Sequence, residues 1–381
     1  MKKKRSNEIL SDIVKSLSDT NDMIFLLSDQ LEQLKIKDWI STGNYLLNAQ
    51  ISGSLFKGIP SGRITMIAGP SGSGKTFLTL NILRNALKSG YNIILIDTES
   101  AIDDETLKRF NLDPSSIIYV PLNTVNEATT FLANLWKKLD SYKKEGKDFG
   151  KIIIAIDSLG NLSTDKEVSD AIAGSDKVDM TRAREMKKLF RICTQKLNTM
   201  SIPIIVTNHV YQNIGSYYIG TGIAGGSGPF YNSSVILELT KSSLKDENKV
   251  KTGIIVKSKI VKSRFVKNNV ECSFYISYIG GMNPYIGLEN YVSWDDCGID
   301  FGKVDSSGNF VPLKNKRFVA VKHLGKSIPF KNMFVPEVFT KEVLECIDSK
   351  IKPIFELPQV DNGLDFISSL DVDDEIGDVY E

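Results

Sequence analysis

Residues 69–76, Gly69-Pro70-Ser71-Gly72-Ser73-Gly74-Lys75-Thr76, satisfy the pattern G-x-x-x-x-G-K-[ST] at every fixed position. That pattern has meaning only where a buried strand ends and a helix begins, and the flanks comply. Arg63 to Ala68 is apolar and β-branched, as a buried strand requires, and Phe77 to Leu87 carries a helical apolar spacing. Glycines let the backbone turn tightly enough for successive N–H groups to face a phosphate chain, and the helix N-terminus adds its partial positive charge. Gly69 to Thr76 would therefore cradle a nucleotide, with Lys75 reaching the β- and γ-phosphates and the Thr76 hydroxyl on Mg²⁺. A Gly/Ser-rich turn without a nucleotide role is the alternative, and the strand and helix on either side argue against it.

Strand and helix signals alternate after this loop. Asn92 to Asp97 and Lys151 to Asp157 read as strands, and so does Ile202 to Thr207. Helices fall at Thr124 to about Lys144, with Thr124 and Glu127 as a capping box, and at Met180, Ala183, Met186, Phe190, Cys193 and Leu197. Such alternation implies an α/β fold with a mostly parallel central sheet covered by helices. Val235 to Leu239, Gly253 to Lys259 and Val270 to Ile279 read as further strands extending it. The expected division is an N-terminal helical segment at 1–40, a core at 41–287, a smaller C-terminal region at 288–357 and an acidic tail at 358–381. The apolar stripe of the N-terminal segment, Ile9, Ile13, Leu17, Ile24, Leu27, Leu31 and Leu34, needs a partner surface on its own domain or on a neighbouring subunit.

The net charge of +1 over 381 residues conceals a basic start, Lys2-Lys3-Lys4-Arg5, and an acidic end, so it neither implies nor excludes nucleic acid. Cys193, Cys272, Cys297 and Cys346 are far apart and only His209 and His323 could join them, which argues against a zinc site or a disulfide framework. No apolar run is long enough to span a membrane. A reducing cytoplasm is the expected compartment.

Hydrolysis needs groups beyond the phosphate loop. Asp157, closing an apolar strand, is placed to hold the Mg²⁺ shell, and Glu99, just past another strand end, is placed to take a proton from the attacking water. Asn208 and His209 end the next strand, where either could touch the γ-phosphate; a lone His is also often a structural hydrogen-bonder. Two long stretches without periodicity, Leu159 to Asp179 and Tyr211 to Ser234, follow strand ends, and loops of that length are usually functional or disordered. Arg182, Arg184, Lys187, Lys188 and Arg191 form a basic face beside the first, either solvated or a nucleic-acid contact. Lys257, Lys259, Lys262, Arg264 and Lys267 form a second basic cluster.

These pieces in this order resemble the RecA family of recombinases, most closely the phage branch typified by UvsX. The segments that carry the resemblance are Ile40-Ser41-Thr42-Gly43, the phosphate loop, Asp157-Ser158-Leu159-Gly160-Asn161-Leu162, Asp179-Met180-Thr181-Arg182-Ala183, Asn208-His209, Gly225-Gly226-Ser227-Gly228-Pro229 and Lys262-Ser263-Arg264. It covers roughly Ile40 to Leu288.

The resemblance implies an ATP- and Mg²⁺-dependent, DNA-stimulated ATPase that forms a helical filament on single-stranded DNA and exchanges strands with double-stranded DNA in recombination and repair. A single-strand-binding protein and a loading mediator would be partners. By the same resemblance Glu99 is the general base, Asp157 the metal-shell residue and His209 the γ-phosphate sensor. Thr181, Arg182, Arg184, Gly225, Gly226 and Gly228 belong to the DNA-binding loops, and Lys262 with Arg264 reaches the neighbouring subunit's ATP, a role for which Lys257 and Lys259 have the same spacing. One departure stands out: relatives often carry a Tyr soon after the catalytic Glu to stack on adenine, and here that neighbourhood reads Asp103-Asp104-Glu105-Thr106. A replicative helicase on the same core and a nucleotide-switched structural module are the competing functions. The acidic tail either competes with DNA for basic surface or simply solubilises the chain.

Overall fold

The computed structural model describes residues 9–16, 35–174, 181–212, 221–223 and 226–357; the acidic tail, residues 1–8 and 17–34 of the N-terminal segment, and Asp179, Met180 and Gly225 lie outside the described residues. Residues 9–16 are helical. A short antiparallel pair, β1 (Trp39–Ile40) with β2 (Ile59–Pro60), brackets helix α1 (Tyr45–Ser52), which Asn44 caps by accepting a hydrogen bond from the Leu47 N–H.

Then come β3 (Ile64–Ala68), α2 (Lys75–Lys88), β4 (Tyr91–Asp97), α3 (Asp104–Phe110), β5 (Ile117–Pro121), α4 (Val125–Lys144) and β6 (Lys151–Asp157). They are followed by α5 (Asp165–Ile172), α6 (Arg182–Met200), β7 (Ile204–Asn208), the hairpin β8 (Val210–Gln212) and β9 (Thr221–Ile223), and α7 (Ser227–Asn232). Long antiparallel strands β10 (Val235–Lys245), β11 (Lys251–Ser263) and β12 (Glu271–Ser277), with short β13 (Gly281–Met282), complete a nine-stranded sheet of order β13-β12-β11-β10-β3-β7-β6-β4-β5. From β10 to β5 the pairings are parallel; from β10 to β13 they are antiparallel.

Two apolar layers cover the sheet. Ile64 and Met66 of β3 face Trp136 of α4 and Phe190 of α6 in one cluster, whereas Ile67 faces the opposite cluster, built on α1 and α2. Burial on both faces is what made these strands read as continuous apolar runs. The expected capping box is present, with the Glu127 N–H donating to Thr124 Oγ1 at 3.1 Å and Glu127 Oε2 accepting from the Thr124 N–H at 3.0 Å.

Two expectations are corrected. The stretch Leu159 to Asp179 is not irregular throughout: a second capping box, Thr164 with Glu167, starts α5. Nor is the chain without a disulfide. Helix α8 (Trp294–Cys297) lies against α9 (Lys341–Phe355), which brings Cys297 and Cys346 together as a disulfide across 49 residues, and separation in sequence had hidden that proximity.

Between those helices, β14 (Ile299–Val304), β15 (Phe310–Pro312), β16 (Phe318–Val321) and β17 (Lys326–Pro329) form a small antiparallel sheet. Ile347, Ile351 and Phe355 of α9 join the same apolar cluster as Leu47 and Ile51 of α1. A buried polar contact fixes this docking: Asp348 Oδ1 accepts from the Leu55 N–H at 2.6 Å. Asp348→Ala leaves that buried N–H unpaired and is expected to cost about 1–3 kcal/mol in urea unfolding, and Asp348→Asn, which keeps the acceptor, should recover most of it.

Candidate functional site

The phosphate loop hangs on the carboxyl end of β3, where the Gly69 N–H donates to Asn208 O of β7 at 3.2 Å. Gly74 precedes α2 with φ +93, a left-handed conformation that favours glycine, and the Ile276 side chain packs close over it. Lys75, 7% exposed, folds back across the loop and donates to Gly69 O at 3.0 Å and Pro70 O at 3.1 Å. Burial lowers its pKa; the carboxylates of Asp157 and Glu99 pull the other way, and Lys241 adds to the lowering. Ser73 Oγ is buried and has no hydrogen-bond partner among the described residues. An orphaned hydroxyl beside backbone N–H groups at a helix N-terminus suits the oxygens of a phosphate chain, so the residues present fit a nucleotide.

Register assembles the acidic half. Asp97 pairs with Asp157 across β4 and β6, and Ile156 pairs with Val206 across β6 and β7, so Asp97, Asp157 and Thr207 lie in one row at the strand ends. Thr207 Oγ1 donates to Asp157 Oδ1, and the Thr76 side chain also bonds this carboxylate. Burial raises the Asp157 pKa; these two hydrogen bonds oppose it, while the Glu99 and Asp97 charges reinforce it. A carboxylate and a hydroxyl bonded together beside the loop form a hard oxygen donor pair of the kind Mg²⁺ takes.

Glu99 is fixed from two sides. Its N–H donates to Asp97 Oδ1 at 2.9 Å and its Oε1 accepts from Ser158 Oγ at 2.7 Å. Ser158 is itself held by Thr98, whose hydroxyl donates to Ser158 O at 2.8 Å. His209 Nε2 stands 3.7 Å from Glu99 Oε1. A Cβ on Gly160 would fall 2.7 Å from His209 Cδ2, so glycine there lets the imidazole lie close over the turn that follows β6.

The structure thus gathers Lys75, Thr76, Glu99, Asp157 and His209 into one site and adds Thr98, Ser158, Thr207 and Lys241. Lys241 on β10 donates to Ser71 O at 2.8 Å. No local motif marks it; only the parallel pairing of β10 with β3 brings it to the loop.

The other candidates lie apart. Arg182 donates through Nη2 to Gly160 O, whereas Arg184, Lys187, Lys188 and Arg191 are exposed along α6. Gly226 has φ +73, and Gly228 is buried where a Cβ would meet Lys187 Cα at 2.8 Å, so close packing of α7 on α6 by itself accounts for the glycine at 228. Lys262 lies level with Ile236 on β11, and its ammonium donates to Phe230 O at 2.8 Å and Tyr231 O at 2.9 Å rather than to the phosphate loop. Burial lowers the Lys262 pKa and Arg264 contributes. Among the described residues neither Lys262 nor Arg264 has an acidic partner, whereas Lys257 is paired with Glu271 at 2.6 Å.

Comparison with known proteins agrees with this geometry. The RecA N-terminal domain family matches residues 4–283. The recombination and repair protein of Enterobacteria phage T4 is 31% identical over 254 residues, which are 66% of this chain and 62% of that protein. The match therefore spans less than two thirds of the T4 protein's length. The RecA protein of Helicobacter hepaticus is 26% identical over 335 residues, 87% of this chain and 91% of that protein, and that of Helicobacter pylori strain P12 is 26% identical over 329 residues.

Asp157 offers a test of the site's electrostatics. Its folded pKa is raised above the model-peptide value of 3.8, so its contribution to stability is present below that pH and is lost as pH rises through the folded value. At neutral pH the ionised group destabilises the nucleotide-free protein. Asp157→Asn is expected to raise the nucleotide-free thermal midpoint at pH 7 by about 2–4 °C and to flatten its pH dependence, read by thermal unfolding from about pH 4 to 8.

Proposed function

The chain belongs to the RecA family, and from that premise we propose that it is an ATP-dependent recombinase, assembling on single-stranded DNA as a filament and pairing it with homologous duplex. Members of this family are DNA-dependent ATPases. The observation that carries the reading is the convergence of Lys75, Thr76 with Asp157, and Glu99 with His209 at the carboxyl ends of adjacent parallel strands, where open α/β sheets bind ligands. We assign ATP and Mg²⁺ as its cofactors, DNA repair and recombination as its role, and the host cytoplasm as its place of action. The unwinding and purely structural alternatives gain no support from the family match.

Each residue has a task in this reading. Lys75 exchanges the Gly69 and Pro70 carbonyls for phosphate oxygens. Thr76 and Asp157 would hold Mg²⁺, which when bound would supply positive charge to the phosphates. Glu99, kept in place by Ser158 and by the Asp97 contact to its N–H, takes a proton from the attacking water. His209 lies between Glu99 and strand β8, which begins at the next residue, so a change at the γ-phosphate is transmitted directly into the second DNA-binding stretch. The exposed basic face of α6, with Arg184, and the stretches holding Thr181, Arg182, Gly225, Gly226 and Gly228 bind DNA phosphates without sequence preference.

Lys262 and Arg264 complete the ATP site of an adjacent subunit. Neither has an acidic partner among the described residues, whereas Lys257 is paired with Glu271, which favours Lys262 and Arg264 over the pair at 257 and 259. A single-strand-binding protein and a loading mediator are the accessory partners this assembly calls for.

The deciding experiment is ATPase activity with and without single-stranded DNA, combined with electron microscopy of the same samples: DNA-stimulated turnover and nucleotide-dependent filaments are expected, and DNA-indifferent turnover by a monomer would overturn the proposal. Lys75→Ala should abolish turnover. Lys262→Ala with Arg264→Ala should retain nucleotide binding yet lose DNA-stimulated turnover by on the order of a thousandfold, the scale of a trans cation in phosphoryl transfer.

A further inference from the structure

The disulfide between Cys297 and Cys346 has no part in the nucleotide site. It joins α8 to α9 across 49 residues, with Cα atoms 5.9 Å apart, and so ties the small C-terminal sheet, which follows α8 directly, to the helix that docks on α1. In a reducing cytoplasm, the compartment proposed above, disulfides are usually transient. Access of a small thiol to the two sulfurs therefore decides what the pair does.

That access favours one sulfur over the other. A pocket of ≈ 430 Å³ reaches both cysteines, and charged side chains of both signs line it, Lys322 and His323 against Asp295, Asp296 and Glu342. Cys297 is 7% exposed where it closes α8, whereas Cys346 on α9 is half-buried. Cys193 and Cys272 differ from both: they are buried free thiols, and burial pushes each up to about 12, too high for thiolate chemistry near neutral pH.

The surroundings show what opening the link would move. Helix α9 is held apart from its cysteine, because Asp348 accepts from the Leu55 N–H, the Lys267 N–H donates to Phe355 O at 2.9 Å, and Glu356 bridges to Val266. Across the junction with α8 the polar contacts are those of Lys350, which pairs with Asp296 and donates to Ser293 Oγ at 2.7 Å. Partly exposed pairs of that kind contribute little. Ile299, Val319 and Val321 keep the small sheet seated in the main apolar cluster, so opening the link loosens α8 without releasing the sheet.

We infer that Cys297 and Cys346 are a thiol–disulfide exchange site, opened by a small thiol bearing carboxylate and ammonium groups that enters this pocket and attacks Cys346. The incoming thiolate bonds to Cys346 Sγ; the bond to Cys297 breaks, and its electron pair leaves on Cys297 Sγ, which takes up a proton. A second small thiol displaces Cys346 in the same way, so that both cysteines end as thiols and the small molecule leaves as its own disulfide. Oxidation by that disulfide runs the same steps in reverse.

The test uses the full chain in glutathione buffers that run from oxidising to reducing, with native thiols counted by a chromogenic thiol reagent. Cys297 and Cys346 are expected to titrate together with the buffer, while Cys193 and Cys272 stay unreactive until the chain is unfolded. Given glutathione disulfide, Cys297→Ser should collect one glutathione on Cys346, read by mass spectrometry, at least about tenfold faster than Cys346→Ser collects one on buried Cys297. Amide hydrogen exchange should rise on reduction in residues 294–304 and stay unchanged in residues 69–76. A thiol count that stays closed or stays open in every buffer, equal adduct rates in the two variants, or amide exchange that rises equally in both stretches would each overturn the proposal. The thiol count is made on the unaltered chain and decides even where a serine variant fails to fold.

Discussion

The Asp157 carboxylate, buried at a strand end with hydroxyl partners and with two further acids nearby, is the constraint around which the site is organised. Isolated, such a group would be driven toward its neutral form. The sheet keeps it there because β6 runs between β4 and β7 in a register that puts Asp97 and Thr207 on either side, and because β3 delivers Thr76 on the turn of the loop. Lys75 does not relieve the strain fully, since its ammonium is tied to two backbone carbonyls. The nucleotide-free site is therefore electrostatically unfinished, and a divalent cation with a polyanion is the kind of ligand that completes it.

The same incompleteness recurs at larger scale. Lys262 lies on β11, the strand that neighbours β10, and Arg264 just past its end, yet the Lys262 ammonium caps the carbonyls of Phe230 and Tyr231 instead of reaching the phosphate loop. Lys241, within this strand pair, is the phosphate-side cation; at the end of the pair near Val235 stand Lys262 and Arg264, without an acidic partner among the described residues.

How much of this the sequence disclosed depends on the range of the interactions. The phosphate loop, the strand closing at Asp157 and the Thr124 cap are local patterns, and each lies where its pattern implied. Helix α5 also had a local signal, the Thr164 and Glu167 box, but its only apolar residues at helical spacing, Val168 and Ile172, are exposed, so no core-facing stripe reinforced it. The small C-terminal sheet was illegible because its strands are three to six residues long and too short to establish an alternation. Pro353 inside α9 weakened that helix's own signal. Lys241 and the Cys297 to Cys346 link are products of tertiary pairing alone, and spacing cannot announce them.

His209 shows why a single imidazole can matter in such a design. It is the one site residue whose chain neighbour, Val210, starts a hairpin outside the main sheet, so it belongs at once to the rigid strand ends and to the segment beyond them. Glu99 and the Gly160 turn fix where its ring can lie, and Arg182 ties the same Gly160 carbonyl to the start of α6. The His209 ring therefore lies against the same turn to which Arg182 at the start of α6 is bonded. Glu99 to His209, His209 against Gly160, and Gly160 to Arg182 form one continuous chain of neighbours from the strand ends to α6.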